Sequence, residues 1–114
     1  MSDGRLAASV VVGGLIRKAE SDGGFAAVLA KGDSTAGSIL VILTEKGGNP
    51  RFIERVLQPD GQYIWGDSPT QISGNAAEVP NLVAKRRRFD PDLWVIELDI
   101  PSAERFAAEM SAFG

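Results

Sequence analysis

The chain has 114 residues, of which 44% are hydrophobic, so its length and composition suit one globular core and leave no room for a second domain. Its net charge of −3 does not supply the overall positive field that draws nucleic-acid backbones to a protein. The sequence contains no cysteine and no histidine, which excludes disulfides, thiolate chemistry, cysteine-ligated metals and the commonest general base near neutral pH.

The beginning of the chain has no features of a targeting segment. Residues 1–6 are predicted to be a polar tail, without the basic region and apolar core of a secretory signal peptide. The longest apolar run, residues 7–16, contains Ser9, Gly13 and Gly14 and is too short to cross a bilayer. The cytoplasm is therefore the expected location, and no membrane partner is expected.

Residues 8–20 fit two different structures. Residues 10–12 are β-branched valines, which favour a strand. Val12, Leu15 and Ala19, however, would share one face of a helix. We expect a strand that begins near Ala8, with residues 16–20 either extending it or forming a short helical turn.

Four further strands are predicted within the first 65 residues, at positions 25–30, 37–44, 52–57 and 63–65. The second of them is apolar on both faces from Ile39 to Leu43, so it should lie in the middle of the sheet. Residues 31–37 are rich in turn formers and are interpreted as a hairpin connection. They contain a lysine, two glycines and two hydroxyls, but not in the order of a phosphate-binding loop.

A helix and a final strand are predicted in the last third of the sequence. Residues 66–75 should form a polar, mobile loop. Pro80 is tolerated in the first turn of a helix, so a helix should start just before it and end near Arg88, where Asp90-Pro91 stops it. Residues 93–100 then form a strand.

The last strand and a second helix should complete the core. Trp94, Ile96, Leu98 and Ile100 are expected on the core face of the strand, with Glu97 on the opposite face. Ser102 is expected to cap a C-terminal helix whose apolar side includes Phe106 and Phe113. The order of elements predicts a single α+β domain over residues 1–114, with a mainly antiparallel sheet of five to six strands and two helices packed on it.

The junction between the predicted helix and the last strand is the most informative stretch. Its residues are Arg86, Arg87, Arg88, Phe89, Asp90, Pro91, Asp92, Leu93 and Trp94. This run resembles the hallmark of a family of small bacterial proteins called domain of unknown function 1491. Two further segments, residues 15–26 and residues 31–37 with the strand after them, fit the same family. The resemblance implies no established activity, substrate or catalytic residue.

The same junction supplies the candidate site residues, each with a structural alternative. The cluster Lys85-Arg86-Arg87-Arg88 could bind an anion or RNA, but cations at a helix C-terminus also oppose the negative end of the helix dipole. Asp90 and Asp92 could share a cation or provide a general base, but Asp beside Pro also forms ordinary turns. Glu97 could be catalytic, or it could pair with Arg17, Arg55 or the arginine cluster.

The aromatic residues have two interpretations as well. Trp65 and Trp94, with Tyr63 and Phe89, could line a pocket or an interface. At strand positions they are more often part of the core. No metal or cofactor is expected, since two carboxylates are too few ligands for a hard metal ion.

These observations favour a non-catalytic binding or protein-interaction module that associates with itself through a sheet edge or the C-terminal helix. One alternative is a small enzyme or ligand-binding protein whose site contains Arg86, Arg88, Asp90, Asp92, Trp94 and Glu97. A second alternative is weak RNA binding through residues 85–88, although the net negative charge disfavours nucleic acid.

Overall fold

Residues 7–68 and 76–110 are described by a computed structural model, in which they form three α-helices and one five-stranded sheet. The helices are α1 (Ala8–Ser21), α2 (Val79–Phe89) and α3 (Ala103–Glu109). The strands are β1 (Phe25–Ala30), β2 (Ile39–Glu45), β3 (Gly48–Leu57), β4 (Tyr63–Asp67) and β5 (Trp94–Asp99). Within these two ranges, none of the helices has both the length and the apolar character needed to span a membrane.

The strand order across the sheet is β1-β5-β2-β3-β4. The pairs β1–β5, β2–β3 and β3–β4 are antiparallel, whereas β2 and β5 run parallel. The sheet is therefore mixed but mostly antiparallel, with five strands. The prediction that β2 lies in its middle is confirmed.

The expected strand at residues 8–20 is wrong, because this segment is the 14-residue helix α1. Val11, Val12, Leu15 and Ala19 are buried on one side of α1, which is the helical alternative suggested by their spacing. Burying this whole side outweighs the modest preference of the β-branched valines for a strand. The domain accordingly has three helices among the described residues instead of two.

The predicted hairpin at residues 31–37 is also wrong. Strands β1 and β2 are not neighbours, because β5 lies between them and pairs with both. Residues 31–37 therefore pass across the end of β5 before they enter β2. Local sequence indicated the turn residues correctly but could not show that a strand from the far end of the chain fills the gap.

Both faces of the sheet are covered, which makes the architecture three layers. Helices α1 and α3 pack on the first face, where Ile39, Val41, Ile96 and Leu98 are buried. Helix α2 packs on the second face, over a smaller core. That core contains Leu40, Ile42, Phe52, Val79, Leu93 and Val95. Strand β5 is thus buried on both faces rather than on the one core face expected.

The other predicted elements agree with the structure where it describes them. Helix α2 places Pro80 in its first turn, as expected, and Ser102 caps α3 by accepting a hydrogen bond from the backbone N–H of Arg105. Strand β4 extends to Asp67, two residues into the predicted loop at 66–75. The predicted polar tail at residues 1–6, most of that loop (69–75) and Phe113 lie outside the described residues.

Gly24 connects α1 to β1 in a very narrow space. A Cβ atom at this position would lie 2.1 Å from the carbonyl oxygen of Asp99 and 3.1 Å from that of Ala19. Both neighbours are backbone atoms, so neither can rotate away. The sequence at this junction must be glycine for α1 to reach the first face of the sheet.

Replacing Gly24 with Ala should lower the free energy of unfolding by about 1–3 kcal/mol, because the added methyl group overlaps the end of β5. The control is Gly66→Ala in β4, where the added methyl group would meet no atom within 4 Å. That change should alter stability by less than about 1 kcal/mol. Urea unfolding measures both, and equal effects of the two substitutions would contradict this assignment.

Candidate functional site

Residues 86–94 form a helix end, a tight turn and the start of β5, which we call the corner. The backbone N–H of Asp90 donates to the carbonyl of Arg86 at 3.0 Å, and the N–H of Leu93 donates to the carbonyl of Asp90 at 3.1 Å. The Asp90 carboxylate accepts the N–H of Asp92 at 3.2 Å. Asp90 therefore shapes the turn, as aspartate beside proline commonly does.

Arg87 ties the corner to the loop that precedes β2. Its Nη1 atom lies 3.1 Å from the carbonyl oxygen of Lys31, 2.8 Å from that of Pro91 and 3.0 Å from that of Leu93. A guanidinium group stays charged at any physiological pH, and the two N–H bonds of Nη1 are shared among these three carbonyl oxygens. The Arg87 side chain thus joins the end of α2, the turn before β5 and the loop that precedes β2.

The loop of residues 31–37 packs directly against the corner. The indole Nε1 of Trp94 donates to the carbonyl of Asp33 at 2.7 Å, and the N–H of Asp33 donates to the carbonyl of Asp92 at 3.1 Å. A Cβ atom at Gly32 or Gly37 would lie 2.2 or 2.5 Å from the carbonyl oxygen of Asp92. The glycines of this segment are therefore required by close packing.

Arg86 pairs with Glu54 of β3 on the second face of the sheet. Its Nη1 and Nη2 atoms lie 2.5 and 3.1 Å from the two carboxylate oxygens, and the Ser68 hydroxyl donates to the same carboxylate at 2.7 Å. Burial alone would raise the pKa of Glu54. The hydrogen bonds from Arg86 and Ser68 and the guanidinium charge outweigh burial and hold this pKa below the usual glutamate value.

The remaining cations of the predicted cluster point into solvent. The side chains of Lys85 and Arg88 are exposed and make no hydrogen bond or ion pair with the described residues. Phe89, next to Arg88, is 81% exposed. The four basic residues therefore divide into two that hold the fold together and two that are free to meet a partner.

Glu97 lies on the second face of the sheet, next to a groove between the strands and α2. The groove has a volume of about 430 Å³. It is lined by Leu29, Thr44, Val79, Pro80, Val83, Ala84 and Glu97. Most of these side chains are apolar, so the Glu97 carboxylate and the Thr44 hydroxyl are its main polar groups.

The predicted site residues do not meet in one place. Asp90 and Asp92 share the turn, Arg86 pairs with Glu54, and Arg88 is exposed. Trp94 is buried on the first face, against α1 and α3, whereas Glu97 lies on the second face. The sheet therefore separates these two side chains. Among residues 7–68 and 76–110, no three acidic side chains come together in a way that could hold a metal ion.

Arginines suggested as partners for Glu97 lie elsewhere. Arg55 is on the first face, with its guanidinium 3.9 Å from the centre of the Tyr63 ring, and Arg17 projects from α1. Sequence reasoning also missed Glu54 and Thr44. The available signals were an acidic residue in an otherwise apolar stretch of β3 and a hydroxyl at the end of the apolar run in β2.

Replacing Glu54 with Gln should lower the free energy of unfolding by about 1–3 kcal/mol at neutral pH, because the partly buried Arg86 charge loses its partner. The difference from the wild type should be full above the ordinary glutamate pKa, about 4.3. This difference in stability should vanish as the pH falls through the lower pKa of folded Glu54. The wild-type carboxyl group then becomes protonated and is as neutral as the glutamine amide. Urea unfolding across this pH range tests both effects.

The matched control is Asp67→Asn, which removes the exposed ion pair between Asp67 and Arg51. That pair should contribute less than about 1 kcal/mol. Equal losses in the two variants, or a Glu54→Gln effect that persists in acid, would contradict a structural role for the Arg86–Glu54 pair.

Comparison with known proteins identifies the family. The family model described as protein of unknown function DUF1491 matches residues 6–108, and no curated protein matches the chain. The NMR structure of a DUF1491 family protein from Caulobacter crescentus CB15 is 32% identical, covers 89% of this chain and 91% of its own, and has a TM-score of 0.75. The crystal structure of a DUF1491 family protein from the same organism is also 32% identical, covers 89% of this chain and 94% of its own, and has a TM-score of 0.74. A protein from A. tumefaciens is 29% identical, with 90% and 92% covered and a TM-score of 0.72. The chain therefore belongs to the DUF1491 family, whose function is unknown.

Proposed function

We propose that this protein is a non-catalytic protein-interaction module that forms a dimer by pairing the β1 edges of two copies. The observation that carries this proposal is the character of β1, the outer strand next to β5. Its six residues include no charge and no proline. Three of its apolar side chains, Phe25, Val28 and Leu29, are 76%, 47% and 41% exposed.

An outer strand of this kind favours pairing with another strand. Edge strands present unpaired backbone N–H and C=O groups, and monomeric proteins usually protect them with charges or prolines. Strand β1 has neither. The opposite edge, β4, is shorter and ends at Asp67, which forms an ion pair with Arg51. Strand β1 is therefore the better candidate for an interface.

The charges that flank β1 favour a second copy as the partner. Of the acidic residues before the strand, Asp22 pairs with Lys18 and Glu20 is exposed, and Lys31 follows the strand. Two copies of β1 in antiparallel orientation would place Glu20 of one copy toward Lys31 of the other. The uncharged strand itself adds no repulsion between like charges. The β1 register shifts after Val28, so residues 25–28 form the regular part available for pairing.

The alternatives have less support. Two of the four cations in residues 85–88 bind protein groups, which leaves Lys85 and Arg88 for phosphates on a chain of net charge −3. An enzyme or ligand site at the corner would need Arg86, Asp90 and Glu97 to converge. Instead, Glu97 lines a groove, Arg86 pairs with Glu54 and Asp90 shapes the turn, so the three side chains do not converge.

Light scattering after size-exclusion chromatography at micromolar concentration should give twice the mass of one chain. Val28→Lys should yield a monomer, because it places like charges at the edge where the two copies meet. Ile64→Lys, at a side chain that is 53% exposed on the opposite edge, should leave the dimer intact. A monomeric wild-type protein, or an unchanged dimer in Val28→Lys, would overturn the proposal.

A further inference from the structure

We infer that the groove beside α2 binds a small primary amine with an apolar body, its ammonium group held between Glu97 and Thr44. The site shares Leu29 with the proposed dimer edge, but its two polar groups lie on β2 and β5. The groove, about 430 Å³, is within the usual range for small-molecule sites, roughly 300–1,000 Å³. Its walls come from β1, β2, β5 and the first half of α2.

Thr44 is the first polar group that points to a ligand. The residue is 2% exposed, and its hydroxyl Oγ1 has no hydrogen-bond partner in the described part of the protein. Buried hydroxyl groups nearly always have such a partner, because leaving one unpaired is costly. The Thr44 side chain lines the groove, so a ligand there can supply the missing donor.

Glu97 is the second polar group. It is partly buried, and among the described residues it has neither an ion pair nor a hydrogen bond to its side chain. Of the arginines on α2, Arg86 binds Glu54, Arg87 binds backbone carbonyl groups, and Arg88 is exposed and makes no ion pair with Glu97. A carboxylate beside apolar walls, without its own counter-charge, selects a cation.

The sheet register brings these two groups together. Strands β2 and β5 are parallel neighbours, and Ile42 pairs with Glu97 while Thr44 pairs with Asp99. Thr44 and Glu97 are therefore diagonal neighbours on the same face of the sheet. An ammonium group has three N–H donors, which can reach both the carboxylate and the hydroxyl.

The rest of the groove suits a hydrocarbon body. Leu29, displaced by the irregular register of β1, forms one side, and Val79, Pro80 and Val83 of α2 form the other. An anionic ligand would be repelled by Glu97. A hard metal ion needs more oxygen ligands than these two residues offer. The groove therefore matches an amphipathic amine better than either.

The probe is 1-hexylamine, compared with 1-hexanol and hexanoate, which have the same chain length. Titration followed by ¹⁵N–¹H NMR should show saturable shifts around Thr44, Val83 and Glu97 with the amine, and binding of the alcohol and the acid at least about tenfold weaker. Equal binding of the amine and the alcohol would overturn the inference.

Variants test the two polar groups separately. Glu97→Gln should weaken hexylamine binding at least about tenfold, and Thr44→Val about threefold or more, whereas Thr44→Ser should retain binding. Glu104→Gln, in the exposed part of α3, is the matched control and should have no effect. Unfolding curves verify that each variant is folded. Unchanged binding in folded Glu97→Gln would refute the site.

A lysine side chain of another protein carries the same ammonium group. Nα-acetyl-lysine methylamide represents such a lysine, and comparing it with hexylamine distinguishes a protein ligand from a free amine. Its peptide groups would find no polar partners against the apolar walls. Tighter binding of hexylamine supports a free amine as the ligand. Tighter binding of the lysine derivative would overturn the assignment to a small molecule. The oligomeric state is measured separately, so a failure of the dimer does not affect this test.

Discussion

The burial of β5 on both faces is the constraint on which the rest of the structure depends. This strand enters the sheet between β1 and β2, so residues near the end of the chain join two strands from its first half. Its apolar side chains project alternately to the two faces, and each face needs a cover. Helices α1 and α3 provide one cover and α2 provides the other. The three-layer architecture follows from this one strand.

The corner determines where β5 begins, and this explains the dense run of cations before it. Arg87 binds three backbone carbonyl groups, one from the loop before β2 and two from the corner itself, and Arg86 neutralises the partly buried Glu54. Arg86 uses both Nη atoms of its planar guanidinium for one carboxylate, a two-point contact that a lysine cannot make. The basic run that resembles a binding patch in the sequence therefore serves in part to hold the corner in place, through Arg86 and Arg87, whereas Lys85 and Arg88 are its exposed members.

Elements with one dominant local signal could be predicted from the sequence. Pro80 and Pro91 marked the limits of α2, and the apolar run of β2 indicated a central strand. Helix α1 was mispredicted because β-branching and helical spacing compete there, and packing against the sheet decides between them. The proximity of Thr44 to Glu97 could not be predicted at all, because it depends on the parallel pairing of two strands that are far apart in the sequence.

That parallel pair also explains where the groove lies. Thr44 is near the carboxyl end of β2, and Glu97 is in the second half of β5, so both side chains stand toward the carboxyl ends of the two parallel strands. Sheets with helices on their faces commonly bind ligands at this end, where the connections diverge and leave a crevice. Here β1 has an irregular register beside the first half of β5, where Leu29 reaches the groove, and α2 has Pro80 in its first turn. Neither element closes the crevice, so the partly buried Glu97 carboxylate and the buried Thr44 hydroxyl beside it remain without a partner among the described residues.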